Sequence, residues 1–385
     1  MKIVYVYPQF AHLAGTERVL IDKMNYLSKL HGVDVYMVTH EQGSHPVAYQ
    51  LYPSVIHVDL GICFYTLYKN GLIRRILKRY SLMRLLRSRF NHLMAEIDPD
   101  VVISVTYHAY LISIIANCPG RFARLLESHI DKNFLHCNDP LNQANWRKML
   151  RSILVMNTIN EEISKFDCLV ALHQKDADVW KKYLKTRIIT NVVHLNDKDK
   201  YCNLDSKHII FVGRYTYQKG VSELFSIWEI VYNNHPDWHL DLYGDGDDNE
   251  MPYTSEKRER MNIHVHKANS DIFSCYLESS IFVLTSVYEP FGLVMPEAMS
   301  CGLPVVAFDC PSGPASIITD GVDGFLVEDR NICAFADRLC QLIESPQLRE
   351  IMGKAAIKSS QRYSAERIMP QWIDLFNELI TIHRR

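Results

Sequence analysis

The sequence predicts an α/β protein built from two similar halves, each a set of parallel βαβ units. Three observations carry this: apolar runs alternating with amphipathic stretches, a restart of that alternation, and a polar stretch where it restarts. In the first series, Ile3–Tyr7, Val33–Thr39, Val55–Leu60, Val101–Val105, Arg124–Glu127 and Cys168–Leu172 read as strands. Helical patterns at Thr16–Leu30 and His108–Ala116 lie between some of them. A parallel crossover needs a connection of about that size, so these are βαβ units. The second series is Ile209–Gly213, Leu240–Gly244, Ile263–His266, Ile281–Thr285 and Val305–Phe308, with a helix at Val221–Tyr232. Between the series, NDKDKYCNLDSK (196–207) lacks apolar periodicity and reads as a linker. The expected domains are residues 1–195 and 196–385, the final helix at about 365–382 packing back on the first. Ligands of such halves bind at the carboxyl ends of the strands, here in the cleft between them.

Composition narrows the function classes. The 385 residues carry 42 basic and 44 acidic side chains, a net of −2, with 48% hydrophobic and 22% charged. That is globular composition, not disorder, and it lacks the basic excess of a nucleic-acid coat protein. Ten scattered cysteines with no C-x-x-C pair speak for a reducing compartment and against metal knuckles. The N-terminus, MKIVYVYPQFAHLAG, reads as a buried strand because Pro8 and Gln9 interrupt its apolar run. No apolar stretch reaches the length of a membrane span. A cytoplasmic chain, at most peripheral at the inner face of the plasma membrane, is expected.

One stretch breaks the charge balance. Leu60–Ala95 holds eight basic residues and no acidic one, which leaves the rest of the chain ten negative. Leu72, Ile73, Ile76, Leu77 and Tyr80 fall on one helical face, and Arg74, Arg75, Lys78 and Arg79 occupy the other. Such a helix suits an anionic membrane surface, at roughly 1 kcal/mol per basic residue near the headgroups. A solvated basic face fits the pattern equally.

The most informative segment is VYEPFGLVMPEAMSCGLPVVA (287–307). It leaves a strand, turns at Pro290-Phe291-Gly292 and enters a helix near Leu293, with Glu289 before the turn and Glu297 inside the helix. Exposed N–H groups of Phe291, Gly292, Leu293 and Val294 form an anion site at the positive helix end. Carboxylates beside it can accept bonds from sugar hydroxyls. By pattern alone, a loop charge at Glu289 and a solvent-facing Glu297 are the commoner outcome.

The two glutamates in E-P-F-G-L and E-A-M-S-C-G-L-P-V-V-A closely resemble the signature of retaining glycosyltransferases of the family-4, or glycosyl transferases group 1, type. G-T-E-R (15–18), F-V-G-R-Y-T-Y-Q-K-G (211–220), L-Y-G-D-G (242–246) and D-G-V-D-G-F-L-V (320–327) match in the same order. The resemblance spans most of residues 1–375 and is densest from 208 to 328. It implies the GT-B fold, two Rossmann-like domains facing a central cleft, with acceptor bound by the first and nucleotide sugar by the second. Arg214 and Lys219, after the Ile209–Gly213 strand, then hold the nucleotide diphosphate, whose charge they would neutralise as it leaves. Glu289 orients the donor sugar and Glu297 holds the ribose. Phe291 to Val294 add backbone contacts.

In the first half, Gly15 lets backbone approach a phosphate, although the family often shows two glycines where this chain has Ala14-Gly15. Glu17 and Arg18 match the family pattern and serve equally well as helix-terminal residues. His129, in L-E-S-H-I-D (126–131), resembles a segment near the donor sugar in related bacterial transferases, where it can bond a hydroxyl or assist proton movement. Thr106 and His108 are weaker candidates. Gly244-Asp-Gly-Asp-Asp lacks the third glycine of a dinucleotide fingerprint. Its Asp245-Gly-Asp247 reads as a turn cap, and no cluster has metal-site spacing, so neither metal nor cofactor is expected.

The function so implied is a retaining, metal-independent glycosyltransferase. It moves a sugar from a nucleotide sugar, expected to be a UDP-sugar, to a hydroxyl of a saccharide or polyprenyl-linked acceptor in bacterial surface polysaccharide assembly. The family mechanism commonly proposed is front-face, the leaving phosphate taking the acceptor proton, and no residue is assigned as nucleophile. A nucleotide-sugar epimerase on the same scaffold and a non-catalytic nucleotide-sugar binding protein are the alternatives. The joint presence of Glu289, Arg214, Lys219 and Glu297 speaks against the second.

Overall fold

The computed structural model describes all residues except 13, 70, 130–159, 198, 199, 247–250, 270 and 385, and only the backbone of 68, 69, 72 and 73. Ile130 and Asp131 of the L-E-S-H-I-D segment, Asp247 of the D-x-D and part of the 196–207 stretch thus lie outside the described residues. The chain divides into two units, Met1–Val192 with Ile368–Arg385, and Val193–Arg367.

The first unit holds a seven-stranded parallel sheet: β1 (Lys2–Val6), β2 (Asp34–Thr39), β3 (Ile56–Asp59), β4 (Val101–Val105), β5 (Ala123–Glu127), β6 (Cys168–Ala171) and β7 (Thr186–Ile188). The order is β3-β2-β1-β4-β5-β6-β7, so strand order reverses between β1 and β4. Central strands are buried along their length, which is why they read as unbroken apolar runs. Helices α1 (Gly15–Leu27), α2 (Leu72–Ile97), α3 (Ala109–Ala116) and α4 (Gln174–Trp180) flank the sheet.

Two elements differ from the sequence reading. Strand β7 was not anticipated, because its three residues are half exposed and carry a charge. Helix α2 runs far beyond Tyr80: Leu86, Phe90, Met94 and Ile97 repeat at three or four residues and are buried. Its first half stands out from the core, with Ile76 61%, Leu77 66% and Tyr80 67% exposed.

The second unit repeats the plan with β8 (His208–Val212), β9 (His239–Tyr243), β10 (Ile263–His266), β11 (Ile281–Leu284), β12 (Val305–Phe308) and β13 (Gly324–Val327). All pair in parallel, in the order β10-β9-β8-β11-β12-β13, reversing between β8 and β11. Its helices are α5 (Val221–Asn234), α6 (Ser255–Arg260), α7 (Ile272–Glu278), α8 (Val294–Ser300), α9 (Pro314–Ile317), α10 (Ile332–Glu344) and α11 (Pro346–Ser360). Leu224, Phe225, Trp228 and Val231 of α5 and Phe335, Leu339 and Leu342 of α10 join the core at helical spacing. Ser345 caps α11 by accepting the Leu348 N–H at 3.2 Å, and Pro346 sits where no N–H is needed.

The stretch read as a linker is fastened to this unit. Asn196 N–H donates to Ser300 Oγ at 2.9 Å, Cys202 N–H to Cys301 O at 2.8 Å and Asn203 N–H to Leu277 O at 3.0 Å. Helix α12 (Ala365–Arg384) buries Ile368, Met369, Trp372, Leu375, Phe376 and Leu379 on one face. Within the first unit, its Glu378 pairs with Lys185 at 2.7 Å and Arg187 at 2.8 Å.

Candidate active site

In the second unit, β8 and β11 flank the point where strand order reverses, and the loops leaving their carboxyl ends carry the predicted residues. After β8 the chain forms a 3₁₀ turn, Tyr217–Lys219, closed by Gly220 at φ +64°. A Cβ there would lie 1.9 Å from Thr285 O, so only glycine lets this loop meet the end of β11. The Thr285 hydroxyl donates to Lys219 O at 3.2 Å and Gly220 O at 2.9 Å, fixing the two loops together.

That fixation brings Lys219 to Glu289. Lys219 Nζ lies 2.5 Å from Glu289 Oε2, which also accepts the Ser286 hydroxyl at 3.1 Å. Glu289 is 6% exposed, far from the solvated loop charge that pattern alone favoured. Its backbone is pinned as well, N–H to Pro311 O at 3.3 Å and O from Gly313 N–H at 2.6 Å. Gly292, at φ +88°, turns the chain into α8, and a Cβ there would meet Glu289 Cγ at 2.9 Å. Phe291 is buried beneath this turn, and the N–H groups of Gly292, Leu293 and Val294 precede or open the helix.

Glu297, in the first turn of α8, is 2% exposed and accepts the Tyr276 hydroxyl at 3.4 Å. A buried carboxylate in a short helix is expensive without partners, which points away from a solvent-face role. Arg214 behaves differently. It is exposed, and among the described residues it forms no ion pair. A cavity of about 120 Å³ beside this loop is lined by Thr216, Tyr217, Ser222 and Glu223 among others, and contains neither glutamate of the pair 289 and 297.

One residue of this site escaped the sequence reading. Arg330, at φ +62°, donates to Glu223 Oε1 at 3.0 Å, to Thr285 O at 3.3 Å and to Ser286 O at 2.5 Å. It therefore braces the strand end from which Glu289 hangs. The D-G-V-D-G-F-L-V match stopped three residues short of it.

In the first unit the corresponding reversal lies between β1 and β4. Gly15 is the exposed first residue of α1, preceded by an extended Ala14 with no side-chain cap. Glu17 turns inward and accepts the Tyr7 hydroxyl at 3.2 Å, while Tyr7 and Tyr107 hydroxyls lie 2.7 Å apart. His129 follows β5 and is 7% exposed, its Nε2 2.9 Å from Glu127 Oε2. Lys23 of α1 pairs with the same oxygen. Burial pushes the Glu127 carboxyl up, but Lys23 and His129 together hold it below the ordinary carboxylate range. Lys23 in turn lies 4.2 Å from the Trp372 ring centroid. The signal for Lys23 was present in the sequence: it falls between Val19 and Leu27 at four-residue spacing, on the apolar stripe of α1.

Thr106 and His108 are also placed at this end of the sheet. Thr106 is 4% exposed, and burial, then His40, lowers the His108 imidazole to about 4. Arg74, Arg75, Lys78 and Arg79 are exposed on the first half of α2. Among the described residues no group of three or more His, Cys, Asp or Glu is placed to hold a metal ion, and no helix is long and apolar enough to cross a membrane.

The family described as Glycosyl transferases group 1 matches residues 195–359. A Haemophilus influenzae protein described as an uncharacterized glycosyltransferase is 28% identical over 379 residues, 96% of this chain and 98% of its own. The poly(ribitol-phosphate) alpha-N-acetylglucosaminyltransferase of Staphylococcus aureus is 31% identical over 299 residues, 73% of this chain but 60% of that protein. The crystal structure of S. aureus TarM with fondaparinux, alpha-GlcNAc-glycerol and UDP superposes with a TM-score of 0.75 at 15% identity, covering 98% and 99% of the two chains. Residues 195–359 thus match the glycosyl transferases group 1 family, and the two parallel Rossmann-like units have the GT-B fold.

Proposed function

We propose that the chain transfers a sugar, with retention of anomeric configuration and without a metal, from a UDP-sugar to a hydroxyl of a saccharide or lipid-linked acceptor in bacterial surface polysaccharide assembly. The observation that carries this reading is the Lys219–Glu289 pair, 2.5 Å apart at the reversal point of the second sheet. A cation and a buried carboxylate held by rigid strand ends suit a substrate with a diphosphate beside a polyhydroxylated ring. Lys219 and Arg214 neutralise the diphosphate as it departs, and the Gly292–Val294 N–H groups add donors. Glu289 accepts from the donor sugar. Glu297, buried and acceptor-only, suits the paired hydroxyls of a ribose. The S. aureus relative is named for an alpha-linked product, and common UDP-sugars are alpha-linked to phosphate, which supports retention. UDP accompanies the structural neighbour.

The first half of α2 supports a membrane-held acceptor. Ile76, Leu77 and Tyr80 are more than half exposed beside Arg74, Arg75, Lys78 and Arg79. Apolar side chains at the level of a basic row fit the interface of an anionic leaflet.

A panel of nucleotide sugars, scored for nucleotide release with and without saccharide and polyprenyl-linked acceptors, tests the reading. Acceptor-dependent UDP release with an alpha-linked product is expected. Interconversion of donor sugars without acceptor would identify an epimerase, and tight nucleotide binding with no turnover a binding protein.

A further inference from the structure

The first unit contains a buried charge cluster that its fold does not require. Lys23 on α1 and Glu127 at the end of β5 are 104 positions apart, and their side chains are 2% and 3% exposed. A buried ion pair of this kind often stabilises less than well-packed apolar residues of the same volume. Lysine stands here on an otherwise apolar helical stripe, with Met24 and Leu27 beside it. The pair also meets a third member.

That member is His129. Glu127 Oε2 receives Lys23 Nζ and, at 2.9 Å, His129 Nε2. Against an ionised carboxylate the imidazole nitrogen must be the donor, so Nε2 carries the proton. In the neutral ring Nδ1 then keeps its lone pair, and among the described residues none bonds to it. The surrounding groups reinforce this assignment: the Lys23 ammonium faces the rings of Trp372 at 4.2 Å and Tyr5 at 5.9 Å, which offer it no competing carboxylate.

We propose that Glu127, kept ionised by Lys23, is a positioning residue that locks His129 in the Nε2–H tautomer, so that Nδ1 accepts a hydrogen bond from a hydroxyl of the sugar substrate. The substrate class follows from the tautomer. A bare imidazole nitrogen selects a hydroxyl donor and rejects phosphate or carbonyl oxygens, which present only lone pairs. The arrangement rests on His129 belonging to the site proposed above, but the tautomer stands without it.

The test uses the full chain labelled with ¹⁵N-histidine, the His129 signals being those lost in His129→Gln. Nitrogen–proton correlations should show a protonated Nε2 and a non-protonated Nδ1. The variant carrying Lys23→Met and Glu127→Gln together removes both buried charges without orphaning either. It should give a mixture of tautomers and a turnover about 100-fold lower at 25 °C, the scale of a lost proton-positioning contact. A protonated Nδ1 in the native chain overturns the proposal whatever the variant does. So does a folded double variant with native turnover or an unchanged His129 spectrum. If His129→Gln itself keeps full turnover while the native tautomer is as expected, the placement of His129 in the site fails and the tautomer lock survives.

Discussion

Lys219 and Glu289 are one ion pair, Nζ to Oε2 at 2.5 Å, although 70 positions separate them in the chain. Under the proposed function, a diphosphate that takes Lys219 would compete with a carboxylate, and sugar hydroxyls approaching Glu289 would compensate the loss. That reading couples the donor's two halves through a single contact. Binding of nucleotide alone and of nucleotide sugar are different problems for this site.

Lys219→Ala and Arg214→Ala should each remove about 2–4 kcal/mol of transition-state stabilisation, or roughly 30- to 1000-fold in turnover. Steady-state kinetics of the folded variants with the identified donor checks this. Near-native rates in either variant would remove that residue from the diphosphate site.

The two glutamates separate by assay. Glu289→Gln should lower turnover by about 100-fold while UDP binds as well as before, or better, because Lys219 loses its competitor. Glu297→Gln should instead weaken UDP by roughly 10-fold or more, the worth of a hydrogen bond to a buried charge. Calorimetric titration with UDP reads both, and unchanged affinity in Glu297→Gln contradicts the ribose role.

Changing Arg74, Arg75, Lys78 and Arg79 to Gln should abolish co-sedimentation with anionic vesicles and leave UDP affinity untouched. Binding of the native chain should weaken as salt rises, because exposed charges are screened beyond about 8 Å at physiological ionic strength. Equal partitioning to neutral vesicles, or none to either kind, reduces the first half of α2 to a basic surface.

Acid should destabilise the first unit as pH falls below about 6.5. His40 is 1% exposed, and burial lowers its imidazole to about 4 from the ordinary 6.5. Between those values the unfolded chain binds the extra proton, so this contribution is complete above about pH 6.5 and lost as pH falls toward 4. Urea melts at pH 7.5 and pH 5 should differ by about 2 kcal/mol less in His40→Gln than in the native chain. An identical difference would show that His40 titrates normally.

The parallel strands were legible because burial on both faces leaves no polar alternation to confuse them, as in β4 and β12. Strand β7 was not, since Thr186–Ile188 has too few apolar residues to stand out. Glu289 and Glu297 were visible by resemblance, yet their depth was not. Burial depends on Tyr276 and on the Pro311–Gly313 loop, whose approach no local pattern records. The same holds for Lys23 and Glu127, each visible alone, whose meeting needs α1 and β5 packed in one unit. Arg330 was hidden because its role is carried by backbone carbonyls, which leave no trace in residue type.

Helix α12 gives the first unit a dependence on the order of synthesis. Trp372 covers Lys23, and Glu378 meets Lys185 and Arg187, yet every one of the residues from 193 to 367 is translated before either side chain exists. Until then the nascent first unit holds a lysine without its aromatic cover and an open apolar seam where six buried side chains will sit. Its final closure waits for a segment translated after the whole second unit, however early its sheet forms. A stop codon just after residue 367 would leave the first unit unsealed, a target for chaperones and proteases while the family-matched unit is intact.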